Sequence, residues 1–319
     1  MNERTAPQAP EVLLVVDDVY LQHRQHVRRT FHQPVKSPNN PILYSGQAAW
    51  DAMPLLFGSV RYDPLVRRYR MWYLACGPAS PGANVYDKAA LALAESRDGI
   101  AWRRINADMI SHRAGKRTLK TNLLLQSTRR EHFIEAGSIL IDVAAESPKQ
   151  YMMTYCAEYP GTPYRRVYRL AWSADGIRWR RGATVPCQPP AVVDRHAIVY
   201  DQANDEYLLY LRGARAFQSR VPTCDRYERT VCLQTSRDLR HWSDTVEVMA
   251  ADANDPPHTN IYSLMAFFRG RTLVGIYQRH HLHEEQEVVT THLCWSHDRT
   301  TWHRRQDEFI PLGEPGQWD

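Results

Sequence analysis

No apolar stretch of this chain approaches the ~18 residues that a membrane-spanning helix requires. The longest, VLLVV at residues 12–16 and LLL at Leu123–Leu125, have the length of strands. The start, MNERTAPQAPEVLLVVDD, holds five apolar residues closed off by Asp17 and Asp18, short of the roughly 7–15 in a signal peptide. A cytoplasmic protein with no membrane contact is therefore expected, its first ten residues disordered. The six cysteines (Cys76, Cys156, Cys187, Cys224, Cys232, Cys294) contain no CxxC pair, which excludes zinc-ribbon and thioredoxin spacings and points to free buried thiols. No strong excess of charge exists either: 40 basic against 35 acidic residues leave +5, which argues against nucleic acid as a partner. With 43% hydrophobic residues, intrinsic disorder and collagen-like repetition are excluded as well.

What the chain does have is an internal repeat. SRDGIAW (Ser96–Trp102), SADGIRW (Ser173–Trp179), SRDLRHW (Ser236–Trp242) and SHDRTTW (Ser296–Trp302) recur with Trp-to-Trp spacings of 77, 63 and 60 residues. That period is too long for a helical solenoid and suits a four-stranded sheet with loops. Each copy follows an alternating segment such as Val167–Trp172, and a tight turn at its Asp, which Asp-Gly supplies in the first two copies with a residue that accepts positive φ, precedes the Trp that opens the returning strand. A second hairpin precedes each copy: Gly58–Ala75, Gly137–Cys156, Ala197–Gly213 and Leu264–Gln278. Two hairpins make one blade, so the expected fold is an all-β propeller in a single domain over residues 11–319, without helices longer than about three turns. Its blades are expected near 52–106, 133–183, 192–246 and 258–306, with an incomplete fifth beginning near 309. Either the propeller is shortened, or residues 11–45 help to close the ring. The doublets Arg103-Arg104, Arg180-Arg181 and Arg304-Arg305, each just after a repeat Trp, read as a solvated outer strand that discourages edge pairing.

The VDD at Val16–Asp18, RTFHQPVK and NPIL within Arg29–Leu43, YDP with YRMWY, and the repeated S-x-D-G-x-x-W together resemble the five-bladed β-propeller glycosidases. That superfamily holds arabinanases, β-xylosidases, invertases and levansucrases, and the likeness is nearest to bacterial family-32-like glycosidase proteins, from about residue 12 to 319. It implies a sugar at the mouth of the central channel. The chain lacks NDPNG, RDP and an acid-base Glu-Cys pair, which tells against cleavage of sucrose or fructans.

Propeller glycosidases carry their acids at the start of the innermost strands. Glu135 and Asp194 stand at equal offset, each seven residues before the first-turn acid of its repeat, Asp142 and Asp201. Leu56 holds that offset in the first blade, with Asp51 five residues earlier, while Asn260, Ile261 and Tyr262 hold it in the fourth, after Asp255 and His258; Asp319 would open a fifth. Glycoside hydrolysis needs one carboxyl to protonate the leaving oxygen and another to activate water or attack carbon. Glu135 is thus the candidate acid, Asp194 the candidate base or charge partner and Asp51 a third carboxylate. Glu135 and Asp194 should face one cavity within about 10 Å of each other. Candidate substrate-binding residues are Trp50 and Tyr262 as stacking aromatics, with His258, Asn260, His32 and Arg195 as polar contacts; Lys36 or Arg29 could meet an anionic group.

His280, His281 and His283, followed by Glu284 and Glu285, resemble a metal-binding run but read better as a polar segment at the channel mouth, as do His23 and His26 elsewhere. The repeat tryptophans read as packing residues. No cofactor is expected, although a divalent cation could occupy the channel. The reading is a glycoside hydrolase acting on a carbohydrate or small molecule. Its alternatives are a propeller that binds a glycan or partner without cleaving it, or one recruited for a non-hydrolytic reaction on a small metabolite.

Overall fold

A computed structural model of the chain describes residues 12–77, 89–131, 133–145, 147, 149–161, 165–215, 228–282 and 287–314. The expectations for residues 1–10, Cys224, His283–Glu285 and Asp319 lie outside the described residues. Within them the structure is all-β, with no helix. Blade one is β1 (Met53–Asp63), β2 (Arg68–Cys76), β3 (Ala89–Ser96) and β4 (Trp102–Arg104). A side hairpin, β5 (Ser111–Ala114) and β6 (Arg117–Lys120), then leads to β7 (Leu123–Gln126), which pairs with β3. Blade two is β8 (Phe133–Ile141), β9 (Tyr151–Tyr159), β10 (Arg165–Ser173) and β11 (Arg180–Val185). Blade three is β12 (Ala191–Asp201), β13 (Glu206–Arg215), β14 (Glu228–Ser236) and β15 (Val246–Met249). Blade four is β16 (Thr259–Arg269), β17 (Thr272–Leu282), β18 (Glu287–Ser296) and β19 (His303–Ile310). Each is an antiparallel meander, and the first strands β1, β8, β12 and β16 pack on one another in succession, so these edges ring the axis. Phe309 and Ile310 belong to β19, the last strand of blade four.

The central strands are buried on both sides, which is why WYLAC and ALALA read as continuous apolar runs. In β2, Trp72, Leu74 and Cys76 pack toward blade two with Ile134, Tyr151 and Met153, while Met71, Tyr73 and Ala75 pack with Ile42, Leu43 and Trp50 of the N-terminal segment. The four repeat tryptophans divide among the four apolar clusters. Trp179 joins the cluster between blades one and two, Trp242 that between two and three, and Trp302 that between three and four. Trp102 joins the cluster that contains Ile42 and Leu43. Against blade one, residues 42–50 thus occupy the place a preceding blade takes elsewhere.

The same segment is fastened to blade four at its other end. Asp17 accepts hydrogen bonds from Trp295 Nε1 at 2.6 Å and from His297 at 2.8 Å, and Gln33 donates to the Glu308 carbonyl at 2.7 Å. Residues 12–50 therefore bridge blade four to blade one, with no strand of their own beyond the isolated Ala48–Asp51 bridge.

Each Ser-x-Asp hairpin is closed by its own side chains. In the first, Ser96 Oγ accepts the Gly99 N–H at 2.8 Å, and Asp98 Oδ1 accepts those of Ile100 and Ala101 at 2.8 Å. Asp175, Asp238 and Asp298 repeat the pattern. The fourth residue is left-handed in all four, at Gly99, Gly176, Leu239 and Arg299. These turns also dock on the preceding blade: Trp72 Nε1 donates to the Gly176 carbonyl at 2.8 Å, and the Tyr210 hydroxyl to that of Arg299 at 2.9 Å.

The arginine doublets correct the solvated-strand expectation by half. Strand alternation exposes Arg103, Arg180 and His303 but turns Arg104, Arg181 and Arg304 inward onto carboxylates that lie just before the inner strands. Arg104 meets Asp51 at 2.8 Å beside Tyr73, Arg181 meets Glu131 at 2.9 Å beside Tyr155, and Arg304 meets Asp255 at 2.8 Å over the Tyr277 ring. Removing one partner of such a buried pair strands the other charge. Arg181→Leu is expected to cost about 3 kcal/mol in urea unfolding, while Arg180→Leu on the exposed side changes stability by no more than about 0.5 kcal/mol.

Candidate active site at the inner-strand ends

All four inner strands are bulged near their start: between Leu55 and Ser59, Glu135 and Ser138, Ala191 and His196, and Ile261 and Ser263. Bulges bend a strand and re-aim its side chains, and they gather next to active sites. In blade two the bulge needs glycine, because a Cβ on Gly137 would lie 1.3 Å from the Thr154 carbonyl oxygen. Glu135 stands at the edge of this bulge, paired with Cys156; Asp194 lies within the bulge of the neighbouring inner strand. Equal sequence offset therefore brings the two to the same end of adjacent blades without giving them the same register.

Glu135 is 7% exposed and ion-paired with Arg195, whose guanidinium lies over the Phe57 ring of blade one. Asp194 Oδ2 accepts from Arg212 Nη1 at 2.6 Å, and Arg212 Nη2 donates to the Tyr262 carbonyl at 2.8 Å. The Arg212 and Arg229 guanidinium carbons stand 4.5 and 5.1 Å from the Tyr262 ring centre, and the Arg229 backbone N–H donates to Asn260 Oδ1 at 3.1 Å. A network of paired charges thus joins blades two, three and four. Burial pushes the Glu135 carboxyl above its ordinary range; Arg195 opposes this, and the negative charge of Asp194 adds to it. Burial also pushes up the thiol of Cys156, with Glu135 contributing. His196 clasps the bulge of β12, its ring nitrogens 3.1 Å from the carbonyl oxygens of Asp194 and Thr154, and burial holds its pKa down.

The other candidates divide. Tyr262, Asn260 and Arg195 belong to this network. Asp51 is fully buried beneath Tyr73 and Arg104, in the same kind of contact as Glu131 and Asp255. Trp50 donates to Asn122 Oδ1 at 2.8 Å and packs on blade one, so its indole is committed to the core. His258 has positive φ and a buried Nδ1 with no hydrogen-bond partner among the described residues. His32 is exposed between Phe31, stacked on Trp295, and Gln33, bonded to Glu308; it sits on the outer part of blade four, away from Glu135. Arg29 is turned to Asp18 and the Val15 carbonyl.

His280 and His281 lie in β17 itself, His280 bonded to Glu287 at 3.2 Å and His281 between Thr259 and Thr290. Among the described residues no group of three or more metal-ligating side chains is placed to hold an ion. Cys76, Cys156, Cys187, Cys232 and Cys294 are free thiols. Sequence reasoning missed the Glu158–Arg166 pair at 2.6 Å and the Glu228–Arg215 pair at 2.6 Å, because these acids stand on second and third strands.

No family model and no curated protein sequence matches the chain. Solved structures do share its fold. A glycosyl hydrolase from Bacteroides ovatus superposes with a TM-score of 0.59 at 14% identity, over 88% of this chain and 80% of that one. A structure described as belonging to the GH130 family of mannoside phosphorylases, which contains glycoside hydrolases that target β-1,2 mannosidic linkages in Candida mannan, gives 0.60 at 13% identity, over 92% and 84%. An N-acetylgalactosamine deacetylase from F. plautii, in complex with blood group B trisaccharide, gives 0.54 at 16% identity, over 79% and 68%. The chain has the propeller fold of glycosidase-type proteins.

The charge arrangement has a direct spectroscopic consequence. Difference infrared titration of the Glu135 carboxyl, identified by Glu135→Gln, is expected to give an apparent pKa above the free-glutamate value of about 4.3. Asp194→Asn lowers it by removing the neighbouring negative charge, and Arg195→Gln raises it further.

Proposed function

We propose that the chain is a glycoside-processing enzyme in which Glu135 is the general acid and Asp194 the second carboxylate. One observation carries the reading: a buried carboxyl whose pKa is raised by its surroundings stands beside a second, arginine-held carboxylate on the adjacent inner strand. In the reaction Glu135 gives its proton to the glycosidic oxygen as the C–O bond breaks. Asp194 either takes a proton from the water that attacks the anomeric carbon or attacks that carbon itself; in the second case Glu135 then deprotonates the water that releases the sugar. Arg195 and Arg212 orient the two acids, Tyr262 offers a half-buried ring to the substrate, and Asn260, buried behind it, holds the Arg229 backbone N–H. Asp51 has no part in it, because it is enclosed and spent on Arg104. The glycosidase-type proteins that share the fold support the same class.

A second reading, a propeller that binds a glycan without cleaving it, is favoured by the arginine partner that each acid already holds. Screening aryl glycosides and oligosaccharides separates the two. Glu135→Gln is expected to lower kcat by about 10²–10⁴-fold. In the wild type kcat/KM should fall as pH rises through the raised pKa of Glu135, since the acid must be protonated to act. Glycan binding without turnover by the wild type, unchanged in Glu135→Gln, would establish the second reading instead.

A further inference from the structure

Far from the inner-strand network, the N-terminal segment and the outer strand of blade four enclose an open basin of about 670 Å³ whose walls include Arg24, Arg28, Arg29, Phe31 and Arg305. We propose that this basin is a separate binding site for an acidic polysaccharide, one bearing carboxylates along its chain. Four guanidinium groups meet there. Asp18, held by Arg24 and Arg29, and Asp307, held by Arg305, are the carboxylates paired with them, so two positive charges are left over. Arg28 is exposed and has no carboxylate partner among the described residues. No acid occurs in the sequence between Asp18 and Asp51, whereas Arg24, Arg28, Arg29 and Lys36 do.

The basin is built rather than trailing. Phe31 is stacked on Trp295 with ring centres 5.9 Å apart, the Arg305 guanidinium stands 4.2 Å from the Phe31 centre, and Arg29 Nε donates to the Val15 carbonyl at 2.9 Å. Arginines pre-set in this way match planar carboxylates through paired N–H donors. Val27, 67% exposed among them, adds an apolar spot that suits the C–H face of a sugar ring and does nothing for a bare inorganic anion. The choice of a carbohydrate over another polyanion rests on the proposed function; the charge of the site does not.

Affinity electrophoresis of the full chain through gels containing polygalacturonate, neutral dextran or single-stranded DNA tests the proposal. Polygalacturonate should retard the protein, dextran should not, and the retardation should fade between 0.05 and about 0.5 M salt as the charges are screened. The double variant Arg24→Glu/Arg28→Glu should bind polygalacturonate about tenfold more weakly or worse, and Arg28→Ala, at an exposed position, should weaken it with the unfolding midpoint unchanged. Equal retardation of wild type and both variants overturns the proposal, as does tighter binding of single-stranded DNA than of polygalacturonate at equal charge concentration. Aryl-glycoside turnover followed in parallel keeps the two readings apart: its absence counts against the catalytic assignment alone, and unaltered retardation of the variants counts against this site alone.

Discussion

In three of the four blades an arginine of the outer strand reaches back across its own sheet to a carboxylate that lies just before the inner strand, with a tyrosine of the second strand beside the pair. A propeller has to fix where each innermost strand enters the axis, because that entry sets the position of every group facing the channel. A buried ion pair adds little net stability over an apolar substitute, but losing either partner is costly, so it enforces one register of lead-in against outer strand. Glu131 does this four residues before Glu135. Blade three has Pro189 and Asp244 where the acid and the arginine would stand, and its entry is fixed from the neighbouring blade instead. The Tyr168 hydroxyl accepts the Asp194 N–H at 2.9 Å and donates to the Val192 carbonyl at 3.0 Å, while His196 reaches Thr154. Asp194 is thus positioned by blade two, the blade that carries Glu135.

Two carboxylates are thereby held on adjacent inner strands, Glu135 buried and Asp194 partly exposed. Glu135 loses hydration and gains the negative potential of Asp194; Arg195 returns part of that energy but leaves the pKa raised. Arg212 is committed on one side to Asp194 and on the other to the Tyr262 carbonyl, which spaces blade three from blade four at the same depth. Each arginine in the network therefore has both an electrostatic role and a fixed geometric one, and the bulges supply the local backbone freedom that lets the acids meet them.

The features legible in the sequence are those whose interactions close within a few residues. The Ser-x-Asp hairpin satisfies its own amides across three positions, so its recurrence marked the blades, and the tryptophan that follows packs wherever that hairpin lies. The misreadings concern contacts across a whole blade. Arg104 and Asp51 are 53 residues apart, Arg181 and Glu131 50, and Arg304 and Asp255 49. That near-constant separation is itself a sequence signal: an acid about fifty residues ahead of a Trp-x-Arg marks a buried latch, and by it Asp51 belongs with Glu131 and Asp255 and not with Glu135. Nothing comparable flags Arg195 or Arg212, whose partners are set by bulges and by strand order around the axis.

The seam where residues 12–50 stand in for a blade is unequal on its two sides. Against blade one the contact is apolar, with Ile42, Leu43 and Trp50 covering the buried face of β2 and β3, and its strength comes from area removed from water. Against blade four it is mainly polar: Asp17 with Trp295 and His297, Gln33 with a carbonyl of β19, and a stack of Phe31 on Trp295. Asp17 and His297 remain partly exposed, and partly solvated pairs contribute little and are screened by salt. Local opening of a fold follows its least buried contacts. The blade-four side is therefore the more solvated of the two closures, and the arginine-lined basin is built from it, so an anion bridging Arg28 and Arg305 would add a tie between the segment and β19.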